Sequence, residues 1–126
     1  YLNAGHPPPL VLRRGRAVRA LSGGRRLPLG LPDDRLDTAS VRLEPGDRLL
    51  LHTDGVVEAR DPAGDLFGLA RLADLAERHI AAGLPSPETL RRLSHTVAAH
   101  QGGPLRDDAT LLLVEWNRAA ASRAEP

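Results

Sequence analysis

The sequence predicts an α+β domain whose strands gather in the first half and whose helices follow. Three observations carry this expectation. Two short apolar runs, Leu10 to Arg13 and Ala17 to Leu21, flank Arg14-Gly15-Arg16, where the glycine accepts the positive φ of a tight hairpin turn. Leu49-Leu50-Leu51 is an unbroken apolar run, the pattern of a strand covered on both faces. Leu69, Leu72, Ala73, Ala76 and Ile80 recur at three- and four-residue spacing, with Arg71, Asp74, Glu77 and Arg78 elsewhere on the wheel, which is the pattern of an amphipathic helix.

The remaining elements follow in chain order. Tyr1-Leu2-Asn3-Ala4 reads as the end of a strand already under way, and Tyr1 is no initiator methionine, so the chain is expected to be a piece of a longer protein. Ser22 to Pro28 and Pro32 to Thr38 read as loops. Val41 and Leu43 alternate with polar neighbours up to Glu44-Pro45-Gly46-Asp47; Pro45 pre-sets φ and Gly46 accepts φ > 0, the pairing of a type II turn. The first helix stops near Gly83-Leu84-Pro85. Ser86-Pro87-Glu88 opens a second helix with a hydroxyl cap, a proline at the first helical position and an acid in the first turn. Leu90, Leu93, Val97 and Ala98 supply its buried face, and Gly102-Gly103 ends it. Thr110 to Trp116 forms a last apolar strand. Residues 1–116 make one domain on this reading, and residues 117–126, without apolar periodicity, make a disordered tail.

Composition narrows the function classes. A chain of 126 residues buries roughly two-thirds of its unfolded surface. With 41% hydrophobic residues but one Trp, one Tyr and one Phe, its core is built from Leu, Val and Ala. So few rings leave no stacking platform for bases, and nucleic acid is not expected as a partner. The 17 basic residues, all arginine, balance 16 acidic ones to a net charge of +1, which is no footprint for a phosphate backbone. The absence of cysteine removes disulfides and thiolate chemistry. No apolar run is long enough to span a bilayer and no signal peptide opens the chain, so a cytoplasmic location without membrane contact is expected.

The chemistry concentrates in two acids. Asp54 ends the strand Leu49 to His52 and is followed by Gly55, so its carboxylate emerges where backbone can approach a ligand closely. Asp107-Asp108 precedes the last strand in the same way. Carboxylates that converge at strand ends repel unless a proton or a cation lies between them, and oxygen ligands suit Mg²⁺ or Mn²⁺. Asp-Gly and Asp-Asp are also ordinary turn residues, and spacing alone leaves that alternative open.

The flanking residues add order. Asn3-Ala4-Gly5-His6-Pro7-Pro8, Leu27-Pro28-Leu29-Gly30-Leu31, Pro45-Gly46-Asp47 leading through His52-Thr53-Asp54-Gly55-Val56-Val57-Glu58-Ala59, and Asp107-Asp108-Ala109-Thr110 follow one another along the chain. This series resembles the PPM (protein phosphatase 2C-like) family, in its bacterial branch typified by the stage II sporulation protein E phosphatase, over about residues 1–116. The resemblance implies an antiparallel β-sandwich flanked by helices, incomplete in this chain, and a two-metal centre at one end. It implies that Asp54 and Asp107 are catalytic metal ligands, with Gly55 and Asp108 in supporting positions beside them. Two Mn²⁺ or Mg²⁺ ions would lower the pKa of a shared water, which attacks a phosphoserine or phosphothreonine of a protein substrate. An anti-sigma-factor antagonist is the implied substrate type, and upstream sensor or regulatory domains are the implied neighbours. The Asp-x-x-Gly-His-Gly region that supplies further ligands in the family is missing from these residues, and no acid precedes Gly5-His6 to replace it.

Other candidates have plainer readings. His6 is assigned a structural hydrogen bond, His52 a strand position, and His79, His95 and His100 helix surfaces or ends; their spacing makes no zinc motif. Glu58 either orients the segment after Asp54 or is a solvated charge. Arg13-Arg14 and Arg25-Arg26 read as exposed solubilising charge, Asp61 as part of a solvated turn, and Gly23-Gly24 is too short to suggest a phosphate loop. A haloacid-dehalogenase-type hydrolase would need a nucleophilic aspartate where His52 stands. The other rival is a non-catalytic interaction module or degenerate phosphatase fragment that binds a regulatory partner.

Overall fold

The computed structural model describes residues 1–14, 16–103 and 108–117. The hairpin glycine Gly15, the candidate ligand Asp107 and residues 118–126 of the expected tail lie outside the described residues. The elements run β1 (Asn3–Ala4), β2 (Leu10–Arg13), β3 (Arg16–Ala20), β4 (Arg25–Arg26), β5 (Arg48–His52), α1 (Asp54–Val57), α2 (Leu69–Ala81), α3 (Ser86–Gln101) and β6 (Leu111–Glu115). Strands thus precede helices except for β6. That strand returns to pair with β5.

The main sheet has the order β3-β2-β5-β6 with every neighbour antiparallel. The predicted hairpin is its β2-β3 edge, with a register shift between Val11 and Leu12; the positive φ among the described turn residues falls on Arg14, at 52°. β1 and β4 form a separate parallel pair. Pro45 and Gly46 make the expected turn: the Asp47 amide donates to the Glu44 carbonyl at 2.9 Å, and Gly46 takes φ 95°. Val41 and Leu43, despite their alternation, lie in a segment without regular strand structure.

Strand alternation sorts the leucines onto two faces. Leu10, Leu12, Leu50 and Leu113 join Leu72 and Ala76 of α2 and Leu93 and Val97 of α3 in one buried cluster. Here the spacing argument holds. On the opposite face the register lines up Val11, Leu49 and Val114 in one row and Leu51 with Leu112 in the next. This side is partly open: Leu112 is 52% exposed and Val114 47%, and a cleft of about 260 Å³ runs past Leu49, Leu51, Tyr1 and Leu2. The expectation that Leu49 to Leu51 is covered on both faces is therefore met on the helix side only. The described residues hold two sheets, the four-stranded antiparallel one and the two-stranded β1-β4 pair, and Asn3 and Ala4 of β1 line the cleft beside Leu49 and Leu51.

Two local readings are corrected. Ser86 does not cap α3; Pro85 occupies the cap position, and the Ser86 hydroxyl donates to Glu115 at 2.6 Å, tying the helix to β6. Gly102, at φ 69°, closes the helix as expected. Arg13 is not a free surface charge. Its guanidinium donates to both carboxylate oxygens of Asp47, at 2.9 and 2.7 Å, and pairs with Glu44 at 2.8 Å. Asp47 is 2% exposed and also accepts the Glu44 amide at 2.7 Å. This pair locks the turn that feeds β5.

The Arg13 guanidinium, with help from the Glu44 amide, holds the Asp47 carboxyl below the usual carboxylate range. A depressed carboxyl stabilises the fold above its unfolded pKa near 4, and that stabilisation is lost as pH falls through the folded value. Removing the charge and one of the two acceptor oxygens by Asp47→Asn should cost roughly 1–3 kcal/mol at neutral pH. The variant should also lose less stability on acidification than the unmodified protein. Urea midpoints at pH 7 and pH 3 check both statements; parallel acid losses would show that Asp47 is not linked in this way.

Candidate functional site

β5 carries the chain out of the sheet at His52, and Thr53 turns it into α1. Thr53 is extended, with φ −87° and ψ 164°, and Asp54 is the first helical residue. An acid there interacts favourably with the amides of a helix start. Asp54 is exposed, whereas Gly55 and Val56 are buried. The strand end expected at Asp54-Gly55 is thus the start of a single helical turn.

That turn is pressed against the segment that leads into β6. A Cβ built on Gly55 would lie 2.4 Å from the Asp108 carbonyl oxygen and 3.0 Å from its carbon. Only glycine allows this approach. Thr53 completes the junction. Its amide donates to the Thr110 carbonyl at 3.1 Å, its hydroxyl accepts the Thr110 amide at 2.9 Å, and the same hydroxyl donates to the Asp108 carbonyl at 3.2 Å. Two acid-bearing segments far apart in sequence therefore meet at the ends of adjacent strands, and both Asp54 and Asp108 are exposed there.

Of the sequence-predicted residues, Asp54, Gly55 and Asp108 come together, and Asp107 lies outside the described residues. Exposed carboxylates at one strand edge are the donor chemistry a hard divalent cation requires. Among the described residues no group of three or more His, Cys, Asp or Glu side chains is placed to hold a metal. Glu58 follows α1, exposed, with its amide on the Asp54 carbonyl at 2.9 Å. His52 is 3% exposed, and burial pushes its imidazole below the usual range, which keeps it neutral near pH 7.

The amino-terminal motif lies beside this region, with His6 lining a cleft it shares with Thr53 and Thr110. The His6 amide donates to the buried Asn3 side chain at 2.8 Å, and the His6 ring nitrogen Nδ1 lies 2.8 Å from the Pro7 carbonyl. Gly5, at φ 83°, is packed so closely on Pro28 that a Cβ would sit 2.5 Å from its Cγ. The first two motifs thus meet in space. Asp61 also does more than occupy a solvated turn: its Oδ1 accepts the Ala63 and Asp65 amides, both at 2.9 Å. Thr53 and Asp47 are the residues the sequence reading passed over, and only their position inside quoted motifs marked them.

Comparison with known proteins decides the family. The model of the family described as stage II sporulation protein E (SpoIIE) matches residues 1–117. The chain belongs to the SpoIIE family. Protein IcfG of Synechocystis sp. is 31% identical over 119 residues, spanning 93% of this chain and 18% of IcfG. Among solved structures, the SiaA-PP2C domain of Pseudomonas aeruginosa is similar at 32% identity and TM-score 0.73, covering 89% of this chain and 44% of that one. The RsbU and RsbW domains of Rv1364c from Mycobacterium tuberculosis are similar at 33% identity and TM-score 0.67, covering 93% and 32%. The phosphatase domain of Bacillus subtilis SpoIIE, at 21% identity and TM-score 0.60, shares the fold. This SpoIIE-family chain therefore spans less than half the length of these relatives, and its antiparallel sheet with helices matches part of a PP2C-like phosphatase domain.

The Gly55 contact yields a direct test. Alanine at an ordinary helical position gains roughly 1 kcal/mol over glycine, but a methyl forced against fixed backbone costs typically about 1–3 kcal/mol. Because the obstacle is a main-chain carbonyl, the clash should win, and Gly55→Ala should lower the denaturation midpoint. A raised midpoint would mean that the two segments are not held this closely.

Proposed function

We propose that residues 1–116 are the C-terminal part of a metal-dependent protein serine/threonine phosphatase domain acting in the cytoplasm. The observation that carries this reading is the junction of Thr53 and Gly55 with Asp108, which brings the turn bearing Asp54 to the backbone of Asp108. Asp54 and Asp107 are assigned as metal ligands. Gly55 admits the close backbone approach, and Asp108 lines the same edge. Two Mn²⁺ or Mg²⁺ ions, when bound, would supply a water acidic enough to attack phosphorus at neutral pH and would neutralise charge on the phosphoryl group. The role of this chain's carboxylates is to fix the position of that charge, and the other ligands come from the rest of the domain.

Two further observations support a partial domain. The sheet face bearing Leu49, Leu51, Leu112 and Val114 is half open, as expected of a layer whose second sheet belongs to the remaining half. The chain also covers 44% of the SiaA-PP2C domain and 32% of the Rv1364c chain. The proposed substrate is a phosphorylated protein, of the anti-sigma-factor-antagonist type or a similar signalling protein. The pairing of RsbU and RsbW domains in one relative favours that class. No helix among the described residues is long and apolar enough to cross a membrane.

The test is substitution in the complete parent domain. Losing an outer-shell partner of a metal typically costs about 10–100-fold in affinity or activity, so Asp54→Asn should lower Mn²⁺-dependent turnover of a phosphoserine peptide by at least that much. Asp61→Asn keeps a carbonyl acceptor for its own loop and should leave turnover near that of the unmodified domain. Turnover measured across a Mn²⁺ titration, with circular dichroism as the folding control, separates the two. Equal curves for the Asp54 variant and the unmodified domain would instead support the non-catalytic interaction module.

A further inference from the structure

Thr53 occupies the cap position of α1 but makes no side-chain cap hydrogen bond to its own helix. Threonine at such a position ordinarily accepts an amide from the first helical turn. Here the hydroxyl is turned across the junction instead, donating to the Asp108 carbonyl at 3.2 Å and accepting the Thr110 amide at 2.9 Å. A hydroxyl has one proton to donate and two lone pairs to accept with, so a single side chain clamps the facing strand entry at two points. Valine has the same shape without either bond. Serine has both bonds without the methyl.

We infer that Thr53 is a positioning residue that sets the spacing between the Asp54 turn and the Asp108–Thr110 entry to β6, and through it the affinity of the proposed site for divalent metal. This inference rests on the metal-site reading above. Thr53 touches neither metal nor phosphate; it fixes how far the Asp54 turn stands from the backbone of Asp108 and Thr110. Gly55 lets the two segments touch, and Thr53 keeps them in register. Losing an orienting partner typically costs a metal site about 10–100-fold in affinity or activity.

The experiment is direct Mn²⁺ binding to the complete parent domain, read by calorimetry, alongside turnover of a phosphoserine peptide as a function of Mn²⁺. Thr53→Val should weaken Mn²⁺ binding by about 10–100-fold, with turnover largely recovered at saturating Mn²⁺, and Thr53→Ser should bind as the unmodified domain does. Asp54→Asn is the reference. If that variant binds Mn²⁺ normally, the metal-site reading itself fails. If it binds weakly while Thr53→Val, folded by circular dichroism, binds normally, only the positioning role is overturned. Should Thr53→Val not fold, Thr53→Ala takes its place; failure of both to fold beside a native-like Thr53→Ser would assign the hydroxyl to the fold rather than to the site, and would equally overturn the inference.

Discussion

The contact between the Gly55 backbone and the Asp108 carbonyl is the constraint on which the rest of this structure depends. With a Cβ position only 2.4 Å from that oxygen, the turn after β5 and the entry to β6 can coexist only if residue 55 has no side chain. β5 and β6 pair over five residues, from Arg48 with Glu115 to His52 with Leu111, and the junction continues that pairing beyond the sheet through Thr53 and Thr110. The helices answer to the same geometry. Val56 of α1 belongs to the cluster that α2 and α3 cover, so moving the turn would disturb the core as well as the acids.

A second anchor lies at the other end of β5. Asp47, buried between Arg13 and the Glu44 amide, fixes the turn that admits the strand, while the Gly46 amide and Asp47 carbonyl both bond to Trp116, at 2.6 and 2.9 Å. β5 is therefore pinned at its entrance and its exit, to β6 on both occasions. A burial cost falls on the Asp47 charge, and a bidentate guanidinium partner with an added backbone donor is the arrangement that offsets it. The open face of the sheet contrasts with this. Leu112 and Val114 keep about half their surface in contact with solvent, on the face where the proposed remaining half of the domain would pack.

Local regularity made much of the fold legible. The three- and four-residue spacing that marked α2 returns as the fully buried Leu72 and Ala76, and Gly46 and Gly102 adopt the positive φ their turns require. What the sequence did not disclose is carried by distant partners. The Ser86 hydroxyl bonds 29 residues away to Glu115, so a cap signature became a tie to the sheet. β4 is two residues long and exists because β1 lies beside it; no propensity in Arg25-Arg26 announces it. Arg13 read as surface charge because Asp47 stands 34 residues downstream. At the candidate site the acid Asp54 was legible from its strand-end position. Thr53 was not, since its hydroxyl partners are 55 and 57 residues away and a threonine before a short helix ordinarily caps that helix.

The central claim is that Asp54 and Asp107 bind metal in the complete domain. Crystals of that domain grown with Mn²⁺, with data collected to locate manganese by its anomalous scattering, test it most directly. The account predicts a pair of ions about 3.5–4 Å apart, with carboxylate oxygens of Asp54 and Asp107 among their ligands. Manganese bound elsewhere, with both carboxylates facing only water, would contradict it.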